Sequence, residues 1–345
     1  MLMKMLMTTV VTGSSIFSVV LSVLITDKNC DEAVLGFEYS FEDKMSVRRK
    51  FIDIGANLAD PVFHGFYHQS AKPKHPPDLK HVLTRAFNNG LTRIIITGTS
   101  LESSKTAIEI AKTDERLFAT VGVHPTHCKE FCENDPDEYT ESLKELIRNN
   151  SDKVVAFGEF GLDYDRLEFC PAEIQKKYFL HQLNISKEFN LPLFLHMRAC
   201  DEDFIQYLEN EDGNIRGVVH SFDGDVNALN RLLKIGLHIG INGCSMKKDD
   251  NLSVIKQIPK DKLLIETDSP WCDIRPSHAS FTHVKTTFPS VKREKWNENS
   301  MVKSRNEPCN IVQVLEVIAA IREEDPDELA KQIHENTEIL FFNSK

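Results

Sequence analysis

Residues 51–58 read Phe51-Ile52-Asp53-Ile54-Gly55-Ala56-Asn57-Leu58, a short apolar run that ends in a turn. In a doubly wound nucleotide-binding sheet the first turn carries a Gly-x-Gly-x-x-Gly fingerprint, whose glycines bring the backbone against a pyrophosphate. Here that turn reads Gly55-Ala56-Asn57-Leu58 and lacks the fingerprint. Outward from it, similar runs recur at 93–97, 118–121, 154–157, 193–195, 217–219, 238–241 and 263–265, which makes eight candidate strands with 51–54. Helical patterns lie between them. Leu79, Val82, Leu83, Ala86 and Phe87 fall at i, i+3, i+4, i+7 and i+8, with Asp78 as the expected N-cap and Gly90 as the stop. Strands that alternate with helices pair in parallel through crossovers, and strands apolar throughout are buried on both faces. Eight such units predict a (β/α)8 TIM barrel, with an open doubly wound sheet as the competing architecture.

The chain of 345 residues is long enough for one such barrel, and its 41% apolar and 27% charged residues match an ordinary globular protein. Forty-one Lys and Arg against 52 Asp and Glu leave a net charge of −11, which excludes a general cationic coat for DNA but not a local patch. The eight cysteines include no Cys-x-x-Cys pair, so zinc-ribbon and thioredoxin-type readings lack their spacing. These thiols are expected to be reduced core or loop residues.

Before the first run lies a different kind of segment. From Met5 to Thr26 there is no charged residue, and 16–25 is apolar, preceded by a single Lys4. That is the pattern of a signal peptide or anchor, diluted by Thr8, Thr9, Thr12, Gly13, Ser14 and Ser15. Met45 stands just before Ser46-Val47-Arg48-Arg49-Lys50 and the first run. The expectation is an extension over 1–44, either a leader or an upstream addition outside the functional protein, and a catalytic domain over 45–345.

In a barrel the carboxyl ends of all strands meet at one mouth. The residues there are Asp53 and Asn57 at the first run, His124 in Gly122-Val123-His124-Pro125, and Glu159 in Gly158-Glu159-Phe160-Gly161-Leu162-Asp163-Tyr164. His196, His220 and then Glu266-Thr267-Asp268-Ser269-Pro270 end the fifth, sixth and eighth. A single histidine after a strand is ordinarily a hydrogen-bonded core or loop residue. Five strand ends bearing Glu, His or Asp in register point instead to a divalent ion held by oxygen and imidazole, Mg²⁺, Mn²⁺ or a catalytic Zn²⁺.

With these motifs, Phe194-Leu195-His196, Val218-Val219-His220-Ser221-Phe222 and Arg305-Asn306-Glu307-Pro308, the chain resembles the TatD family of metal-dependent deoxyribonucleases, most closely its eukaryotic branch. The resemblance runs from about 45 to 342 and implies a barrel of the metal-dependent hydrolase type that trims DNA, single-stranded or at 3′ ends, with endonuclease cutting as a further activity and a nuclear or cytoplasmic home. It implies that Glu159 bridges two divalent ions, that His196 and His220 bind one, and that Asp268 binds the other. Many relatives carry His-x-His after the first strand, where this chain has Gly55 and Asn57. With two imidazoles absent, the ion beside Asp268 is expected to be largely hydrated, which favours Mg²⁺ over zinc. Asp268 is read as ligand and general base, and Asp163 as orienting its neighbours. His124 is read as a donor to a phosphate oxygen or, equally, as the residue that fixes the Pro125 turn.

Positive charge for the substrate lies after the last run. Between Ile274 and Arg305, Arg275, Lys285, Lys292, Arg293, Lys295, Lys303 and Arg305 face only Glu294 and Glu298, a net +5 with histidines neutral, and Phe281, Phe288 and Trp296 are interleaved. Cations that track phosphates, with aromatics for stacking, suit single-strand binding, and Arg275, Lys292, Arg293 and Lys295 are the residues expected to hold DNA. An ordinary solvated loop with its aromatics tucked onto the barrel is the alternative. Lys247-Lys248 would stand on the same mouth. Two rival functions are an amidase or lactonase with similar ligands, and a DNA-binding protein that has lost an ion. No obligate protein partner is inferred, and a membrane is involved only if the apolar segment is retained. A chain starting at Met45 should fold and cut DNA as the full chain does. Insolubility or inactivity of that shorter chain would make residues 1–44 part of the fold.

Overall fold

The computed structural model describes residues 2–12, 16–26, 33–41, 49–67, 70–211 and 215–343. The first apolar run is a strand, Phe51–Ala56 (β1), buried at every position. It is followed by Leu91–Ile96 (β2), Leu117–Val121 (β3), Val154–Asp163 (β4), Leu193–Arg198 (β5), Gly217–His220 (β6), His238–Ile241 (β7) and Leu263–Ile265 (β8). Each strand pairs in parallel with its sequence neighbour, in one sheet. The ring closes where β8 meets β1. There the Asp268 N–H donates to Gly55 O at 2.8 Å and the Asn57 N–H to Ser269 O at 2.7 Å. Asp53 adds a latch at the same seam by accepting from the Thr267 N–H at 2.9 Å and from the Thr267 hydroxyl. Burial pushes the Asp53 carboxyl up to about 8, against those hydrogen bonds.

Every strand is followed by a helix: Leu79–Asn88 (α1), Leu101–Ala111 (α2), Pro136–Asn149 (α3), Ala172–Ser186 (α4), Asp201–Glu209 (α5), Val226–Ile235 (α6), Asp249–Ile255 (α7) and Ile311–Arg322 (α8). The expected (β/α)8 barrel is therefore the fold. A further helix, Pro326–Phe341 (α9), sends Leu340 and Phe341 into a cluster with Ile54, Ile95, Val155, Phe194, Val218 and Leu264. These side chains fill the barrel, which is a packed core and not a pore.

Two local readings differ from the sequence-based expectation. The fourth strand does not stop at 157 but runs to Asp163, because residues 160–163 keep pairing with 195–198. Asp78 does stand at the N-cap position of α1, yet its side chain makes no capping bond. Its carboxylate instead takes Arg305 Nη1 at 2.8 Å, Arg305 Nη2 at 2.7 Å and Trp296 Nε1 at 3.0 Å. Arg305 also donates to Glu307 Oε1 at 2.8 Å, and Arg85 donates to the other side of Glu307. Asn306, between them, donates to the carbonyls of Thr267 and Trp271. The Arg305-Asn306-Glu307 motif thus fastens the long segment after β8 onto the barrel.

The chain divides after Arg48, and in the first unit Leu2–Thr12, Ile16–Thr26 and Ala33–Phe41 pair as antiparallel strands. The candidate leader or anchor at 16–25 falls in the second of these strands. Among the described residues, no helix is long and apolar enough to cross a membrane. Met45 lies outside the described residues.

Arg305 is 3% exposed, while Asp78 and Glu307 are fully enclosed. Arg305→Ala should therefore leave buried Asp78 without its cation and Glu307 with Arg85 alone, and cost about 3–5 kcal/mol of stability. Urea unfolding of the two proteins measures this, and a loss near zero would show that water replaces the guanidinium.

Candidate active site

Glu159 owes its position to an irregularity in β4. Gly158 is in register with Phe194 and Phe160 with Leu195, so Glu159 is the extra residue of a bulge and its N–H goes to Gly98 O at 2.8 Å. Bulges re-aim side chains next to active sites. One oxygen of this carboxylate, Oε1, lies 2.7 Å from His196 Nδ1 and 2.7 Å from His220 Nε2. His196 and His220 are themselves paired in register across β5 and β6. His124 Nε2 lies 3.6 Å from the same oxygen. All four side chains are buried.

The surroundings fix the rings. Asp163, at the end of β4, has Oδ2 3.2 Å from His196 Nε2, which supports the expectation that it orients a neighbour. Glu266 accepts from the Ser221 N–H at 2.6 Å and from Asn242 Nδ2 at 3.1 Å, and lies 3.4 Å from His220 Nδ1. The space beside Gly55 explains why no imidazole stands there, since a Cβ would come 2.6 Å from Glu266 Oε2 and 2.9 Å from Phe194 Cζ. Asn57 Nδ2 donates to Asp268 Oδ1 at 2.7 Å, so this residue positions the carboxylate at the end of β8. Asp268 and Ser221 both take left-handed backbone conformations, with φ of 51° and 50°. Non-glycine residues held in this way cluster at functional sites.

Burial alone would raise the Glu159 carboxyl, but the charge of His220 and the hydrogen bonds of His196 and His220 overcome it and hold the group well below the usual carboxylate range. Burial would likewise lower His220, but Glu159 and Glu266 hold it well above the ordinary imidazole value. His124 goes the other way, pushed down to about 3 by burial and by His196. Its Nδ1 accepts from the Thr126 N–H at 3.2 Å, so both readings of His124 have a structural basis: one nitrogen caps the Pro125–His127 turn and the other faces Glu159. Burial pushes Asp268 up to about 7, with Glu266 and Glu159 adding to the rise and His220 opposing it. A crowd of buried carboxylates held apart by imidazoles is an environment that a cation would relieve. The ligand atoms of His124, Glu159 and His196 lie within 4.8 Å of one another, a spacing suited to a divalent ion. The donor set is imidazole and oxygen, which fits the metals expected from the sequence.

This cluster forms the floor of a cleft of about 1230 Å³, which His220, Asp268 and Arg275 also line. Lys292, Arg293 and Lys295 do not line it. Arg293 pairs with Glu294 at 2.9 Å and lies over the Tyr67 ring, and Trp296 is tied to Asp78 and stacked on His75. The cleft instead carries Arg166, Arg198 and Lys247, with Phe169 57% and Trp271 55% exposed. Sequence reasoning missed Arg166, Arg198 and both aromatics. The available signal was their place just after a strand end: Arg198 ends β5, and Trp271 follows Asp268-Ser269-Pro270.

A barrel with a metal-binding cluster at its carboxyl mouth defines a metal-dependent hydrolase. The chain belongs to the TatD-related DNase family, whose pattern matches residues 52–342. It is 45% identical over 296 residues to Deoxyribonuclease Tat-D of Schizosaccharomyces pombe, covering 84% of this chain and 94% of that protein. It is 33% identical to the 3′-5′ ssDNA/RNA exonuclease TatD of Yersinia pseudotuberculosis, over 84% of this chain and 98% of that one. Among solved structures, the hydrolase TatD family protein of Entamoeba histolytica superimposes with a TM-score of 0.81 at 38% identity, covering 86% of this chain and 99% of that one. Membership makes the protein a hydrolase of phosphodiester bonds that works with divalent metal.

Asp163→Asn keeps the shape beside His196 but removes the charge that orients its ring. Metal affinity should fall about 10–100-fold, the usual effect of losing such an outer partner. Calorimetric titration with Mn²⁺ reads this directly, and an unchanged affinity would exclude an orienting role for Asp163.

Proposed function

We propose that the protein removes nucleotides from the 3′ ends of single-stranded DNA, with two Mg²⁺ ions held by Glu159, His196, His220 and Asp268. The observation that carries this reading is the single Glu159 oxygen set 2.7 Å from two imidazoles at the floor of an open cleft. Glu159, His196 and His220 would hold one ion, and Asp268 with Glu159 the other. Bound there, divalent ions would supply the charge that ionises an attacking water, offsets the phosphoryl oxygens and stabilises the leaving alkoxide. Asp268 would take the proton of that water as general base. His124 is neutral, and with Nδ1 accepting from Thr126 its Nε2–H is the donor to a phosphate oxygen. The choice of Mg²⁺ rests on the Asp268 side of the site, where Gly55 and Asn57 stand in place of imidazoles and the ligands are carboxylates.

The preference for single strands is supported by the exposed rings of Trp271 and Phe169, which suit base stacking, beside cations for phosphates. Arg166 and Arg198 are paired with Asp163 and Asp223. Lys247 and Arg275 are therefore the better phosphate contacts, and Lys292, Arg293 and Lys295 a more remote set. The polarity follows the name of the Yersinia pseudotuberculosis relative. On this reading 45–345 is the catalytic domain and acts in the nucleus or cytoplasm, and 1–44 is an extension.

Glu159→Gln and Asp268→Asn should each lower kcat by about 4 kcal/mol equivalent or more, yet leave DNA affinity within a few fold. His196→Ala should lose activity that raised Mg²⁺ or Mn²⁺ partly restores. Digestion of end-labelled oligonucleotides measures all three, and cutting at the parental rate by the first two would remove the cluster from catalysis. Lys247→Ala with Arg275→Ala should raise KM and reduce the slope of log affinity against log salt by about 1 per phosphate contact. Replacing Lys292, Arg293 and Lys295 together by Ala should do less, and the reverse order would move the DNA path onto the segment after β8.

A further inference from the structure

Two cysteines with no part in the proposed hydrolysis stand in the same cleft. Cys244 follows β7 and Cys272 follows β8. Their loops touch backbone to backbone, because a Cβ on Gly243 would lie 2.0 Å from Cys272 O. Each thiol stands within the other's electrostatic reach, and the Cys272 thiol donates to Asp268 Oδ2 at 3.1 Å. Both are partly exposed, whereas Cys128, Cys170, Cys200 and Cys309 are buried. The neighbouring Cys272 and the cationic Lys247 and Arg198 hold the Cys244 thiol below its ordinary value, against the effect of burial. A partly exposed thiol in electropositive surroundings is the type that peroxide oxidises first.

We propose that Cys244 and Cys272 are a peroxide-sensitive thiol pair, and that the disulfide between them disables the hydrolytic site beside it. The consequence for activity rests on the nuclease reading, while the disulfide itself does not. The Cys244 thiolate attacks one peroxide oxygen, the O–O bond breaks, and the departing hydroxide takes up a proton as water. The sulfenic acid left on Cys244 is attacked by the sulfur of Cys272. An S–S bond forms, the S–O bond breaks, and the leaving hydroxide takes the Cys272 proton as a second water. Two thiols are oxidised and one peroxide is reduced. The hydrogen that Cys272 offers to Asp268 is consumed, and its sulfur is drawn toward Cys244. Asp268 then loses one of the two side-chain donors that fix it, the other being Asn57.

The test treats the reduced full chain with hydrogen peroxide, blocks the remaining free thiols and maps peptides without reduction. A Cys244–Cys272 cross-linked peptide, lighter by two hydrogens, is expected. Nuclease activity on single-stranded DNA with Mg²⁺ should be lost with the same time course and return with dithiothreitol. Mn²⁺ affinity, measured by calorimetry on the linked protein, should fall with it. Cys244→Ser and Cys272→Ser should each abolish peroxide sensitivity, read as the ratio of activity after to before treatment. Cysteines 244 and 272 that stay reduced, that oxidise singly without a link, or that link without change in Mn²⁺ affinity or cutting would each overturn the proposal. If the reduced protein cuts no DNA, the nuclease reading fails, and the peptide map with the Mn²⁺ isotherm still decides the thiol pair.

Discussion

A carboxylate enclosed by protein stays ionised only where charge or hydrogen bonds replace the water it has lost. Glu159 meets that condition through one oxygen set between His196 and His220, and much of the barrel mouth serves to keep the three groups in contact. The bulge in β4 turns the side chain into the mouth, and the register of β5 with β6 puts the two histidines side by side. Asp163 holds the far side of the His196 ring, and Glu266 lies 3.4 Å from the far nitrogen of His220. The protein's own contacts thus hold these three groups together, which limits the reorganisation that would weaken binding.

The same logic of buried charge holds the frame around the site. Arg305 lies between Asp78 and Glu307, which joins the segment after β8 to the start of α1, and Asn306 binds the carbonyls of Thr267 and Trp271. Both ends of the Asp268 loop are thus fixed, one by the β1–β8 seam and the other by this anchor. A loop held at two points can keep Asp268 in a left-handed conformation that a free loop would relax.

The barrel was legible in the sequence because its strands are buried on both faces and so stand out as continuous apolar runs. The meeting of Glu159, His196 and His220 was legible for a related reason: strand order fixes which residues share the mouth, whatever their separation in the chain. Other features depend on contacts that composition does not encode. Gly158, Glu159 and Gly161 interrupt the apolar run after 157, although the backbone pairs through to Asp163. Arg305 was counted as surface charge, but its partner Asp78 stands 227 residues away. The run of cations at 292–295 is conspicuous in sequence, while the cleft is lined by scattered cations that form no run. Asp53, grouped with the strand-end acids, faces Thr267 and closes the barrel.

The central claim is that divalent ions bind where Glu159, His196, His220 and Asp268 converge. The most direct test is a crystal soaked in Mn²⁺, with data collected at the manganese edge. Anomalous density within coordination distance of Glu159 on both the histidine side and the Asp268 side is the predicted result. Anomalous density elsewhere, or none in a crystal that diffracts well at saturating Mn²⁺, would contradict the account.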